Sequence, residues 1–204
     1  MLRYNQKIFF VAAYVMIFVA HLYAYDSTKS LILIKARGRV NLNEIGGKGL
    51  YAFSLWDKNR ALIGNDGSFT TVISNFGPQK IMVKDDRQNT RAMAIVLPED
   101  PQGLVFDAKS TAIAILLQDP GLLESSDTVN NISSMMTDKK SFKDLIVFFK
   151  KNLPHTSLQE LADNAECISL LERCNAEIFG EDKEAINKSL NEAESKLQKI
   201  FQEK

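Results

Sequence analysis

Glu44, Asp66, Asp85 and Asp86 are the side chains of this chain whose type and setting most suggest chemistry, because all four stand in turn-rich segments. Carboxylate oxygens are hard ligands, and several converging on one rim can hold calcium. Turns of an antiparallel meander alternate between the two ends of a sheet, so segments 41–48, 65–67 and 85–89 are expected together at one end. The competing reading is local: Asp favours turns because its carboxylate accepts hydrogen bonds from backbone a residue or two further on. No D-x-D-x-D-G run supports a metal loop, since Asp57-Lys58-Asn59-Arg60-Ala61-Leu62 lacks the third ligand and the glycine.

Ser110-Thr111 precedes an apolar run, as a nucleophile can. It lacks the G-x-S-x-G turn, its only histidine base would be His155, and a helix cap accounts for it. Gly46-Gly47-Lys48-Gly49 resembles a phosphate loop in composition, yet it leads into a strand and no Ser or Thr follows the lysine. Cys167 and Cys174 are the only cysteines, and residues 158, 161, 165, 168, 171, 174 and 178 repeat at helical spacing. Seven residues of helix rise about 10 Å, whereas a disulfide needs its Cα atoms within roughly 7 Å. Two unjoined thiols are expected; a bridge requires the helix to begin after Cys167, capped by Asp163 or Asn164. The sequons Asn131-Ile132-Ser133 and Asn187-Lys188-Ser189 fall in helical patterns and are set aside. No catalytic, cofactor-binding or metal-ligating residue is assigned, and no cofactor is expected.

The elements that would position these groups change period near residue 98. Before it, alternating runs at 31–40, 50–56, 60–63, 68–74, 80–84 and 90–97 read as strands separated by turn residues. Asn65-Asp66-Gly67 is a tight hairpin signal, and Phe69, alternating with Thr71 and Ile73, is expected to point into the core. After Pro98-Glu99-Asp100-Pro101 the spacing is helical. Asp107 or Ser110 caps a first helix, Ser126 or Asp127 starts a second, Ser141 a third, and Thr156 or Ser157 a fourth that ends at Gly180. In a fifth, 181–202, Ile186, Leu190, Ala193, Leu197 and Ile200 form a heptad seam expected to close the bundle, the alternative being docking onto another chain. The connector 98–103 is expected to bring the helices against Trp56 or Phe76, leaving Glu44, Asp66 and Asp86 exposed at the far end.

Composition sets the class. Arg3 and Lys7 precede 13 uncharged apolar residues at 8–20, and Ala24 is a small residue at a cleavage position. This reads as a signal peptide over 1–24, the alternative being an uncleaved membrane anchor, for which the run is short. Beyond residue 24, 23 basic face 25 acidic residues, too near neutral for a nucleic-acid partner. An exported protein permits disulfides and makes a cytoplasmic enzyme the least expected class.

Gly38-Arg39-Val40, then Leu50-Tyr51-Ala52-Phe53-Ser54-Leu55, Asn65-Asp66-Gly67-Ser68-Phe69 and Gln79-Lys80-Ile81-Met82-Val83 follow a familiar order. Over about residues 30–97 the chain resembles the carboxypeptidase regulatory-like, transthyretin-type β-sandwich found as an accessory module in exported bacterial proteins. It departs from that pattern in its compressed Asn-Asp-Gly hairpin. The resemblance implies a non-catalytic module with no shared active-site residues to carry over. The expected fold class is α+β: a small antiparallel β-sandwich at 30–97 followed by an antiparallel α-helical bundle at 104–204. The expected function is an exported, periplasmic or secreted, non-enzymatic binding or structural accessory protein of the bacterial cell envelope; the alternative is an envelope hydrolase or its regulator. Its partner would be an unspecified protein or envelope component, with membrane contact only through an uncleaved N-terminal segment.

Overall fold

Residues 30–57, 59–117, 120–123 and 125–180 are described by a computed structural model. The account below concerns the unit that begins at Leu33; the signal-peptide segment and the heptad seam at 181–202 lie outside the described residues. Among the described residues the fold is mixed α/β, with two sheets and six α-helices.

The strands are β1 (Leu33–Val40), β2 (Tyr51–Phe53), β3 (Ala61–Leu62), β4 (Ser68–Ser74), β5 (Gln79–Lys84), β6 (Thr90–Val96) and β7 (Leu104–Phe106). Alternation predicts which side chains turn inward. Phe69, Thr71 and Ile73 of β4, Ile81 and Val83 of β5, and Ala92, Ala94 and Val96 of β6 are all buried. Gly38 lies opposite Phe69 in register, and a Cβ there would come within 2.5 Å of the Phe69 ring. The glycine of the Gly38-Arg39-Val40 signature therefore makes room for that ring to cross β1.

The connectivity departs from a simple meander. One sheet runs β4-β1-β7 and the other β3-β2-β5-β6, so the chain changes sheet between β1 and β2, β3 and β4, β4 and β5, and β6 and β7. The Asn65-Asp66-Gly67 turn forms, with Gly67 at φ 83, but it joins strands of different sheets instead of closing a hairpin. Leu104–Phe106, read from sequence as the start of the helical half, is a strand that pairs with β1 in parallel, so the strands are not all antiparallel. The 98–103 connector is tied down as well, with Leu97 bridged to Asp100 and Arg37 N donating to Pro101 O.

The helices are α1 (Leu42–Ile45), α2 (Ala108–Leu116), α3 (Ser126–Thr137), α4 (Lys140–Asn152), α5 (Leu158–Leu161) and α6 (Ala165–Phe179). α1 occupies part of segment 41–48, expected to be a turn-rich loop. The expected fourth helix is two, α5 and α6, because residues 162–164 turn out of the helix and Asn164 caps a new start. Gly180 has φ −61, not the left-handed value of a terminating glycine. α2 packs on β6 and β7, α4 on α2, and α6 on α4. Phe142, Leu145, Phe148 and Phe149 of α4 and Cys167, Leu170, Cys174 and Ile178 of α6 join one buried cluster with Val40, Ile45, Phe69 and Phe106 from the strands and α1. Among the described residues no helix is long and apolar enough to cross a membrane.

Candidate functional site

Of the groups that the sequence marks for chemistry, Glu44, Asp66, Asp85 and Ser110 hold backbone, while Asp86 is exposed, as expected. Glu44, expected on an exposed rim, is 22% exposed and reaches the helices. Its Oε2 accepts from Ala108 N at 3.1 Å, and its Oε1 lies 3.5 Å from Lys150 Nζ. Ala108 opens α2, and the next orphan amide, Ser110 N, donates to Asp107 Oδ1 at 2.7 Å. Two carboxylates thus meet the positive end of one helix. Helices therefore meet the segment that follows β1 at Glu44, which is not left exposed as expected; Trp56 and Phe76 are half-buried.

Ser110 Oγ accepts from Asp107 N at 2.9 Å and donates to Asp107 O at 3.1 Å, completing a capping box. Thr111 Oγ1 accepts from Met93 N at 3.3 Å. Neither hydroxyl is bonded to His155, which is exposed beyond α4. The pair caps a helix and covers a strand edge.

The aspartates follow the local reading. Asp66 Oδ1 accepts from Ser68 Oγ at 2.7 Å and Ser68 N at 3.0 Å, which lowers the carboxyl below its ordinary pKa. Asp85 Oδ1 accepts from Arg87 N and Asn89 N, and Asp85 is 8% exposed. Asp57 bonds Asn59 N through one oxygen and Thr71 Oγ1 through the other. Among the described residues no three His, Cys, Asp or Glu side chains gather to hold a metal ion.

Sequence reasoning missed Arg91. One extra residue interrupts the β5–β6 ladder between Ala92 and Thr90, and this bulge aims Arg91 toward the helices. The side chain is buried, donating from Nη2 to Leu153 O at 2.9 Å and to Ile45 O at 3.5 Å, while its Nε finds no partner. The alternating run Thr90 to Val96 carries no sign of the bulge. The Gly46-Gly47-Lys48-Gly49 segment runs past this arginine and makes no helix N-terminus.

Cys167 and Cys174 are free, buried and both on α6, which begins before Cys167 and so excludes the only geometry that allowed a bridge. Burial pushes both thiols above their ordinary pKa. Neither should react with a thiol reagent at pH 7 in the native protein, and both should label after denaturation without reductant, as read by mass. A doubly unlabelled denatured chain would show a disulfide instead.

α4 has no side-chain cap of its own, and Glu177 of α6 supplies one, accepting from Ser141 N at 3.1 Å and from the Ser141 hydroxyl. The hydroxyl and then the amide hold the Glu177 carboxyl below its ordinary value of 4.5. Glu160, bonded by the amide and hydroxyl of Ser157, is lowered from the same value. A carboxyl depressed in the fold binds protons more readily when unfolded. Its contribution is complete above about pH 4.5 and is lost as pH falls through the folded value. The melting-temperature gap between the native protein and Glu177→Gln should be widest near pH 7 and close below pH 4.5. A gap that does not change with pH would contradict this.

The described surface also carries a cleft of about 250 Å³. Ile95 and Leu97, Leu104 and Val105, and Ile113 and Val129 form its walls, and Asp100, Gln102, Asn130 and Ser133 add polar groups. No pair of its side chains makes a nucleophile and base: Ser110, which also lines it, is bonded to Asp107 on both sides. Comparison with known proteins finds no matching family model, no matching curated protein and no matching solved structure.

Proposed function

We propose that this chain is an exported, non-enzymatic binding or structural accessory protein of the bacterial cell envelope, its two sheets acting as a sandwich-like module of carboxypeptidase regulatory type and its helices as an attached bundle. The observation that supports the reading most is the engagement of Ser110, Glu44, Asp66 and Asp85 with backbone amides, so that each serves the fold and none is left poised for a substrate. Export rests on the charged start, the apolar run and Ala24 of the sequence. Expression in a secreting host should yield a chain that begins at Tyr25. Intact Met1 in the membrane fraction would favour an anchor. A broad screen for hydrolysis of envelope polymers and model esters tests the rest: turnover above blank that copurifies with the protein would replace this reading with that of an envelope hydrolase.

A further inference from the structure

We propose that the cleft between β6 and β7 docks a short extended peptide segment of a partner protein, which pairs its backbone with the free edges of both strands. The proposal deepens the binding-module reading and rests on it.

Among the described residues β6 and β7 each stand at the end of a sheet, and no ladder joins them. Antiparallel pairing turns alternate residues toward and away from the neighbouring strand. On β6, Thr90 N donates to Gln159 Oε1 and Met93 N to Thr111 Oγ1, so these amides face away from β5 and helix side chains cover them. The same alternation turns the N–H and C=O of Ile95 outward, and no described residue bonds them: Ile95 lines the cleft. On β7, Phe106 O accepts from Asn41 N, which turns Phe106 toward β1 and Val105 away from it. Val105 also lines the cleft, with its side chain 52% exposed.

Sheet edges are ordinarily guarded by charge, proline or a covering element, because an open edge pairs with any extended chain. Here the guarding holds for two amides of β6 and fails where the cleft begins. The volume of 250 Å³ is below the roughly 300–1,000 Å³ of small-molecule sites and suits a short stretch of chain. Main-chain bonds to such edges supply affinity, and adjacent side chains supply preference. Asp100 is the one charged residue in the lining, which favours a segment carrying Lys or Arg.

In ¹⁵N-labelled protein the amides of Ile95 and Val105 should exchange with solvent much faster than those of Ala94 and Phe106. Slow exchange at both would mean the edges are already paired and would overturn the proposal. The peptide Ac-Val-Lys-Val-NH₂ should then shift Ile95 and Val105 saturably at millimolar concentration. Its analogue N-methylated at the lysine amide should bind about tenfold more weakly, since one backbone bond is lost. Asp100→Asn, a surface change, should weaken the unmodified peptide several-fold. Equal binding of the two peptides, no saturable shift, or concentration-dependent shifts without peptide (a second copy on the edge) would each overturn it. The turnover screen decides the accessory-protein reading separately.

Discussion

Phe106→Ala should cost the protein about 3–5 kcal/mol, the usual result of deleting a fully buried phenylalanine. The ring is completely buried and meets Phe69 edge-on, with centroids 5.4 Å apart and planes at 71°. Both belong to the buried cluster that includes Leu145 and Phe149 of α4, so the cavity opens in a core shared by strands and helices. A domain's whole stability is about 5–15 kcal/mol, and the loss is a large part of it. Urea denaturation followed by Trp56 fluorescence and by helical ellipticity should give coincident curves, displaced together in the variant. A loss under about 1 kcal/mol, or displacement of the fluorescence curve alone, would contradict the shared core.

The second large effect is expected at Gly46. Its φ is +63, and an added Cβ would stand 2.3 Å from Pro154 O and 2.8 Å from Pro154 Cα. The obstacle is backbone, which cannot swing aside as a side-chain tip can. Gly46→Ala should combine about 1–3 kcal/mol of left-handed strain with forced separation of the 41–46 segment from the turn after α4. That separation would also pull apart Ile45 O and Leu153 O, the two acceptors of Arg91. Gly103 is the control, with φ +75 and nothing within 4 Å of an added Cβ, so Gly103→Ala carries the strain alone. Thermal unfolding should show Gly46→Ala well below Gly103→Ala. Equal melting temperatures would show that the Pro154 contact is loose.

What the sequence revealed, and what it hid, follows from range. Period-2 alternation in 68–74 and turn chemistry at Asp66 and Asp85 are local, and strand limits and turn bonds came out close to expectation. The Asp107 cap of α2 was legible for the same reason. β7 was not, because three residues between Gly103 and Asp107 are too few to display a period. Nor was the parity of the turns, which depends on which sheet each strand joins. The change of sheet between β1 and β2 carries Glu44 from the expected open rim to the start of α2. The Arg91 bulge and the Glu177 cap are pairings between distant elements, and neither leaves a mark in its own segment.

The parallel pairing of β1 with β7 also bears on the order in which the protein can assemble. A chain made or threaded from its N-terminus presents β1 first, yet Gly38 meets Leu104 only after 66 further residues have emerged. β4 can pair with one edge of β1 once residue 74 has emerged, but until Leu104–Phe106 follow, the other edge of β1 stays open. Contacts of such sequence separation form slowly, and an early strand with an open edge is exposed to pairing with the wrong chain. The interval between the appearance of residue 40 and that of residue 106 is when a holdase would matter most. Truncations ending before Leu104 should aggregate where those ending after α6 do not.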